Sequence, residues 1–305
     1  TAIQSALNAA ASNGGGIVYL PSGKYKVIGN LHIASGVELK GASDIGSVPM
    51  GKGSILEIYA GKGNASATPF IIVDANAGIR GISFNYPEQE GALMPTPLIY
   101  PYCIQAKGEN VYLVNISMRA TYKGIDLFTY KCDNHYVDYL AGHVFRNAIQ
   151  VGGGSENGII MNTQFNAICY AYGRESKFGS WENSPVLGTS QVDATYAQNY
   201  KELEFIVLGD CKNEILYNDF TFGSNKGLVF ASENEKSPSG IALRYGIDAS
   251  AWAVNFDALA PEGFDMINSQ IVSIGGLGGL GDTRYISAKS TFNGTANLFN
   301  SSYWG

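Results

Sequence analysis

Three carboxylates stand where chemistry could be done: Asp126, Asp210 and Glu175. Glycoside hydrolysis uses two carboxyl groups, about 5 to 5.5 Å apart when configuration is retained and roughly 6.5 to 9.5 Å apart when it is inverted. The sequence leaves acid and base unassigned within this pool. An elimination would instead use a Lys, Arg, His or Tyr base beside a neutralised uronate; Lys123, His143 and Arg146 qualify by type. Around Glu175, the stretch 174–203 gathers Arg174, Trp181, Glu182, Asp193, Tyr196 and Tyr200. Sugar sites combine aromatic faces that cover a pyranose with charged groups that address its hydroxyls. These six residues, with Gln150 and His143, are the expected substrate contacts. The same aromatics would also serve simply to pin the loop down.

The elements that position these groups announce themselves by repetition. Gly108-Glu109-Asn110-Val111-Tyr112-Leu113, Cys132-Asp133-Asn134-His135-Tyr136-Val137 and Ser155-Glu156-Asn157-Gly158-Ile159-Ile160 share one pattern, and Cys211-Lys212-Asn213-Glu214-Ile215-Leu216 repeats it. The first Asn falls at 110, 134, 157 and 213, so the steps are 24, 23 and 56, the last reading as two periods plus an insertion. Self-similarity at such a period marks units that bury their apolar faces only by stacking. Each unit is strand, turn, strand without a helical pattern, which predicts a parallel β-helix. Asn suits the tight bends, because it tolerates left-handed backbone and bonds to its neighbours in the stack. In Ile125-Asp126-Leu127 and Ile149-Gln150-Val151 the polar residue points away from the core, so Asp126 and Gln150 should lie side by side, with Gln105 extending the row.

All 305 residues are expected to form one domain, with residues 1–13 as an amphipathic capping helix and 86–101 and 174–203 as loop insertions. Hydrophobic residues make up 45% of the chain and charged residues 15%, a β-rich balance. The net charge of -6, without clustered Lys and Arg, argues against nucleic acid and anionic membrane as partners. The sequence has no apolar run long enough to span a bilayer. Cys132 and Cys211 share a repeat position with at least one rung between them, too far apart for a disulfide. Only His32, His135 and His143 are present, and CxxC and HExxH are absent, so no zinc site or other cofactor is expected. Calcium on surface carboxylates is the open alternative.

One further stretch carries a family signature. A short Ala-Ile-Gln-Ser-Ala-Leu helix, the run Gly14-Gly15-Gly16, then Val18-Tyr19-Leu20-Pro21-Ser22-Gly23-Lys24-Tyr25 and Gly36-Val37-Glu38-Leu39-Lys40-Gly41 resemble the N-terminal module of the pectate-lyase-3 superfamily. The resemblance implies a right-handed parallel β-helix, similar in fold to family 28 glycosidases and phage tailspikes. It also implies a secreted or cell-surface protein that acts on a polysaccharide or oligosaccharide. The N-T-D, D-D, G-H-G and R-I-K signatures of family 28 glycosidases are absent, and so are the W-I-D-H and R-x-P-x-x-R patterns of calcium pectate lyases. The expectation is a polysaccharide-cleaving glycoside hydrolase rather than a lyase; the alternative is a non-catalytic carbohydrate-binding or adhesive module.

Overall fold

A computed structural model describes residues 2–43, 53–92, 96–166, 197–274 and 282–304. Parallel strands wind into a three-faced β-helix in which each strand pairs with its counterpart one rung away. The first face carries Val37–Lys40, Gly78–Arg80, the start of the long strand Tyr112–Leu127 and their successors. The second face carries Ser54–Ile58, Ile82–Asn85 and the middle of the long strands. The third carries Ile71–Asp74, Tyr102–Lys107, the ends of Tyr112–Leu127 and Tyr136–Val151, Glu204–Leu208 and Lys226–Phe230.

The core is a set of columns. On the first face Val18, Leu39, Ile79, Leu113, Val137, Ile160, Leu216, Ala242, Met266 and Leu298 follow one another rung by rung. On the third, Ile71, Ile104, Ile125, Ile149, Ile206, Leu228, Val254 and Ile286 do the same. Most of these side chains are fully buried, and each buried aliphatic contributes about 1.5–3 kcal/mol. The helix Ala2–Ser12 closes the first rung, with Leu7 buried against the core.

Two corners are built from left-handed residues. Asn76, Asn110, Asn134, Asn157 and Asn213 hold φ between 54° and 60° at one corner. There, Asn110 donates its amide to Asn76 at 2.8 Å, Asn134 to Asn110 at 3.2 Å and Asn213 to Asn157 at 3.1 Å. A second ladder runs through Asn115, Tyr139, Asn162, Asn218, Arg244, Asn268 and Asn300, all at positive φ.

The ladder corrects one expectation. Asn157 and Asn213 bond directly, so the step of 56 is one period plus an insertion, not two. The spacing misled because an insertion leaves the ladder's register intact. Residues 86–101 are not purely loop: Pro87–Ala92 is helical, and Gln89 ties the segment down through both backbone groups of Leu98. The thiols of Cys103, Cys132 and Cys211 are free and buried. Ser155, paired with Cys211 and bonded to the Cys132 amide, is the intervening rung that keeps Cys132 from Cys211, as the repeat predicted. Burial pushes the Cys103 thiol up to about 12 and that of Cys132 to about 11, and raises Cys211 well above its usual value. Among the described residues no helix is long and apolar enough to cross a membrane.

Candidate functional site

Strand alternation turns every second residue of the third face outward. Gln105, Asp126 and Gln150 lie side by side on successive rungs, as their spacing predicted. A second outward row runs through Tyr102, Lys123, Asn147, Glu204 and Lys226 and on to Trp252 and Arg284. The two rows meet where the Tyr102 hydroxyl donates to Gln150 Oε1.

Electrostatics single out the middle of this face. Lys123 Nζ sits 5.0 Å above the Tyr102 ring. Burial lowers the basicity of Lys123, the Arg146 guanidinium lowers it further, and Asp126 partly opposes them. Tyr102 moves the other way, its phenol pushed up by burial and then by the charge of Asp126. Arg146 donates to the Glu202 carbonyl at 3.0 Å, and its carboxylate lies 3.6 Å away. Glu204 pairs with Lys226 at 2.8 Å.

Asp126 is nearly closed off from solvent. Its Oδ1 accepts the Phe128 and Thr129 amides, both at 2.9 Å, while Oδ2 accepts Gln105 Nε2 and the Thr129 hydroxyl, both at 2.7 Å. The carboxylate therefore fastens a turn. That turn forms the wall of a cavity of about 440 Å³ shared with Thr68, Ile72, Tyr102 and Gln105.

The other candidate residues fare differently. Asp210 lines a different cavity from Asp126, together with Glu156 and Lys236. Lys236 pairs with Asp210 at 3.2 Å. Tyr200, expected either to contact sugar or to pin its own loop, is fully buried, and its hydroxyl donates to the Ala249 carbonyl at 2.5 Å. His143, also expected to meet substrate, is fully buried against Phe145, with Nε2 3.5 Å from Asn199 Oδ1. Burial lowers His143 to about 4. Both corrections have one cause: the helical turn at 197–202 packs onto the rungs and does not stand off them. Glu175, Arg174, Trp181, Glu182, Asp193 and Tyr196 lie outside the described residues.

Sequence reasoning passed over Tyr102, Asn147, Glu204 and Lys226. Their signal was available, since each stands three residues before a member of the Asp126 row or of its apolar continuation, Val207 and Val229. It also passed over a buried pair, His135 and Glu214, bonded at 3.0 Å. Burial would lower His135, yet the Glu214 charge and its hydrogen bonds outweigh this and raise it.

No curated protein matches the chain. Among solved structures, a mutant of DFA-IIIase from Arthrobacter chlorophenolicus A6 in complex with DFA-III aligns over 98% of this chain and 80% of its own, with TM-score 0.53 and 9% identity. The A-module of mannuronan C-5 epimerase AlgE6 from Azotobacter vinelandii aligns over 100% and 94%, with TM-score 0.39 and 13% identity. PfbA, a surface adhesin of Streptococcus pneumoniae, aligns over 100% and 87%, with TM-score 0.40 and 13% identity. At 9% identity the likeness to DFA-IIIase is one of fold alone. The family described as Rhamnogalacturonase A/epimerase, pectate lyase-like, matches residues 1–184, more than half of the chain, and this protein belongs to that family.

Proposed function

We propose that this protein binds a uronate-containing extracellular polysaccharide across its third face and cleaves it by elimination at Lys123 and Tyr102. One observation carries the reading: on adjacent rungs a lysine is made less basic while the tyrosine beneath it is kept protonated. A general base must be free of its proton near neutral pH, and a general acid must still hold one. The Lys123 shift favours the free amine, and Tyr102 holds the proton it would donate.

In this reaction the free-amine form of Lys123, which burial and Arg146 favour, takes the proton from the carbon next to the uronate carboxylate. The released electron pair forms a carbon–carbon double bond as the neighbouring bond to the glycosidic oxygen breaks. That oxygen takes the Tyr102 proton, and exchange with water returns both side chains to their starting states. Arg146 offsets the charge of the carboxylate. Gln105, Asn147 and Gln150 offer amide groups to sugar hydroxyls, and rungs about 4.8 Å apart suit a chain laid across several of them.

A hydrolytic pair drawn from Asp126 and Asp210 has less support. Asp126 has both oxygens committed to its turn, and Asp210 lines another cavity.

The test is a polysaccharide screen that reads unsaturated uronate and reducing ends in parallel, repeated on Lys123→Met. Unsaturated product that disappears in the variant is the expected result. Reducing ends without unsaturation would point to hydrolysis and overturn the elimination. Binding with neither product would leave the protein an adhesive module.

A further inference from the structure

The row of the third face that holds Asp126 carries a short polar window. Ile72, Gln105, Asp126, Gln150 and Val207 follow one another on successive rungs, so two amides flank one carboxylate between apolar ends. The amides stand two rungs apart, about 9.6 Å at the usual strand spacing. Gln105 and Gln150 are the same side chain, and their partners make them opposites.

An ionised carboxylate can only accept, so Gln105 must turn its nitrogen to Asp126, and Nε2 lies 2.7 Å from Oδ2. Its carbonyl Oε1 is left without a partner among the described residues. At Gln150 the sense is reversed: Oε1 accepts the Tyr102 hydroxyl, and Nε2 is the unbonded end. Asp126 is built to impose its half of this pattern. The Phe128 and Thr129 amides at 2.9 Å and the Thr129 hydroxyl at 2.7 Å hold the carboxylate still. With 1% of its surface exposed, water does not compete with Gln105 for it.

Gln105 lines the third-face cavity of about 440 Å³ together with Tyr102, Ser66, Thr68 and Thr129. That size falls within the range of small-ligand pockets, roughly 300–1,000 Å³. Among the described residues, Asp126 is the one charged group on its wall, and no lysine or arginine is there. A carboxylate entering this cavity meets an acceptor and no cation. A hydroxyl meets its complement.

We infer that Asp126 is a positioning residue: it fixes Gln105 as a hydrogen-bond acceptor, so that this cavity takes a uronate unit by a free ring hydroxyl, with the carboxylate turned outward. This rests on the reading that a uronate polymer lies on the third face, and it gives that polymer a direction. The donor end at Gln150 suits a carboxylate, the acceptor end at Gln105 suits a hydroxyl, and the chain fits one way round.

Two substitutions separate this role from a structural one. In Asp126→Asn, Oδ1 keeps both turn amides while Nδ2 donates to Gln105 Oε1, which turns the Gln105 nitrogen toward the ligand. Gln105→Leu removes the acceptor and leaves the Asp126 turn its other three bonds. Calorimetric titration of the full chain carrying Lys123→Met, to block turnover, compares hexamers of galacturonate, mannuronate and guluronate with their ring-hydroxyl O-methyl ethers, which accept but do not donate. At least one free-hydroxyl hexamer should bind more tightly than its ether. Adding either substitution should cut that preference about tenfold, whereas a merely structural loss would weaken hexamer and ether alike. A preference unchanged in Gln105→Leu, or in a folded Asp126→Asn, would overturn the inference. If the preference shifts as expected and the wild type yields no unsaturated product, the positioning role stands and the proposed elimination falls. If the wild type yields that product while the preference does not move, the elimination stands alone. Binding of none of the hexamers sinks both.

Discussion

The Asn corner and the third face are stacked on the same rungs, yet they are written in opposite ways. At the corner five successive rungs present one residue type, each in the same left-handed conformation. Along the outer row of the third face seven rungs present Tyr102, Lys123, Asn147, Glu204, Lys226, Trp252 and Arg284. An amide ladder works by self-complementarity, so repetition is explained by stacking alone. The varied row does contain internal pairs, such as Glu204 with Lys226 and Arg284 over Trp252 at 4.5 Å. Partly exposed pairs of this kind contribute under about 1 kcal/mol each, too little to account for so many charged groups on one face. The lesson is that in a solenoid, sameness along a column reports architecture and difference reports what the column faces.

The comparison can be broken most decisively at Lys123. Lys123→Met should lower the cleavage rate about 10³-fold, roughly 4 kcal/mol in the barrier, with the melting temperature nearly unchanged. A rate within tenfold of wild type would strip the third face of its distinction. Next in size is a pH effect from inside the fold. Asp219 is buried with Oδ1 on the Thr163 amide and hydroxyl, and burial raises it from 3.8 to about 8. The folded state therefore holds a proton that the unfolded state gives up. The associated stability is full below about pH 4 and is lost as pH rises to about 8. Melting temperature should fall by roughly 5 °C between pH 6.5 and 8, and Asp219→Asn, which keeps the Oδ1 acceptor, should flatten that slope. His135 is also raised and acts in the same sense, so some slope remains in the variant.

Smaller again is the ladder itself. Asn134→Ala removes an amide bonded to Asn110 and places alanine at φ 54°; chemical denaturation should register a loss of about 1–2 kcal/mol with cleavage intact. The mildest change is Glu204→Gln, which ends the pair with Lys226. Stability should move by less than about 0.5 kcal/mol, whereas affinity for polymer should change severalfold in a binding isotherm. Unchanged affinity would remove Glu204 from the surface that the polymer meets.

Much of the frame was legible because apolar alternation and left-handed corners leave local traces. The neighbours of Asp126, the separation of Cys132 from Cys211 and the helix over the first rung all follow from spacing. The site was less legible. Asp126 was read correctly as a neighbour of Gln150 but not as the acceptor of four hydrogen bonds, because its partners Phe128 and Thr129 belong to a turn whose path no periodicity specifies. Tyr200 looked like a platform in composition and became a buried anchor once the turn at 197–202 folded back. His135 and Glu214 are 79 positions apart, and only the stacking across the insertion brings them into contact.

The buried thiols have a consequence in time as well as space. Cys103, Cys132 and Cys211 are shielded from solvent with their ionisation pushed upward, so none is a ready nucleophile in the closed structure. Each can react with an alkylating reagent only when its own stretch of the coil transiently opens. Cys103 lies in the third face, while Cys132 and Cys211 lie at turns two rungs apart, with Ser155 on the rung between them. Their labelling rates should therefore read local opening at separate heights, and the chain carries its own clocks for whether it breathes from one end or parts in the middle.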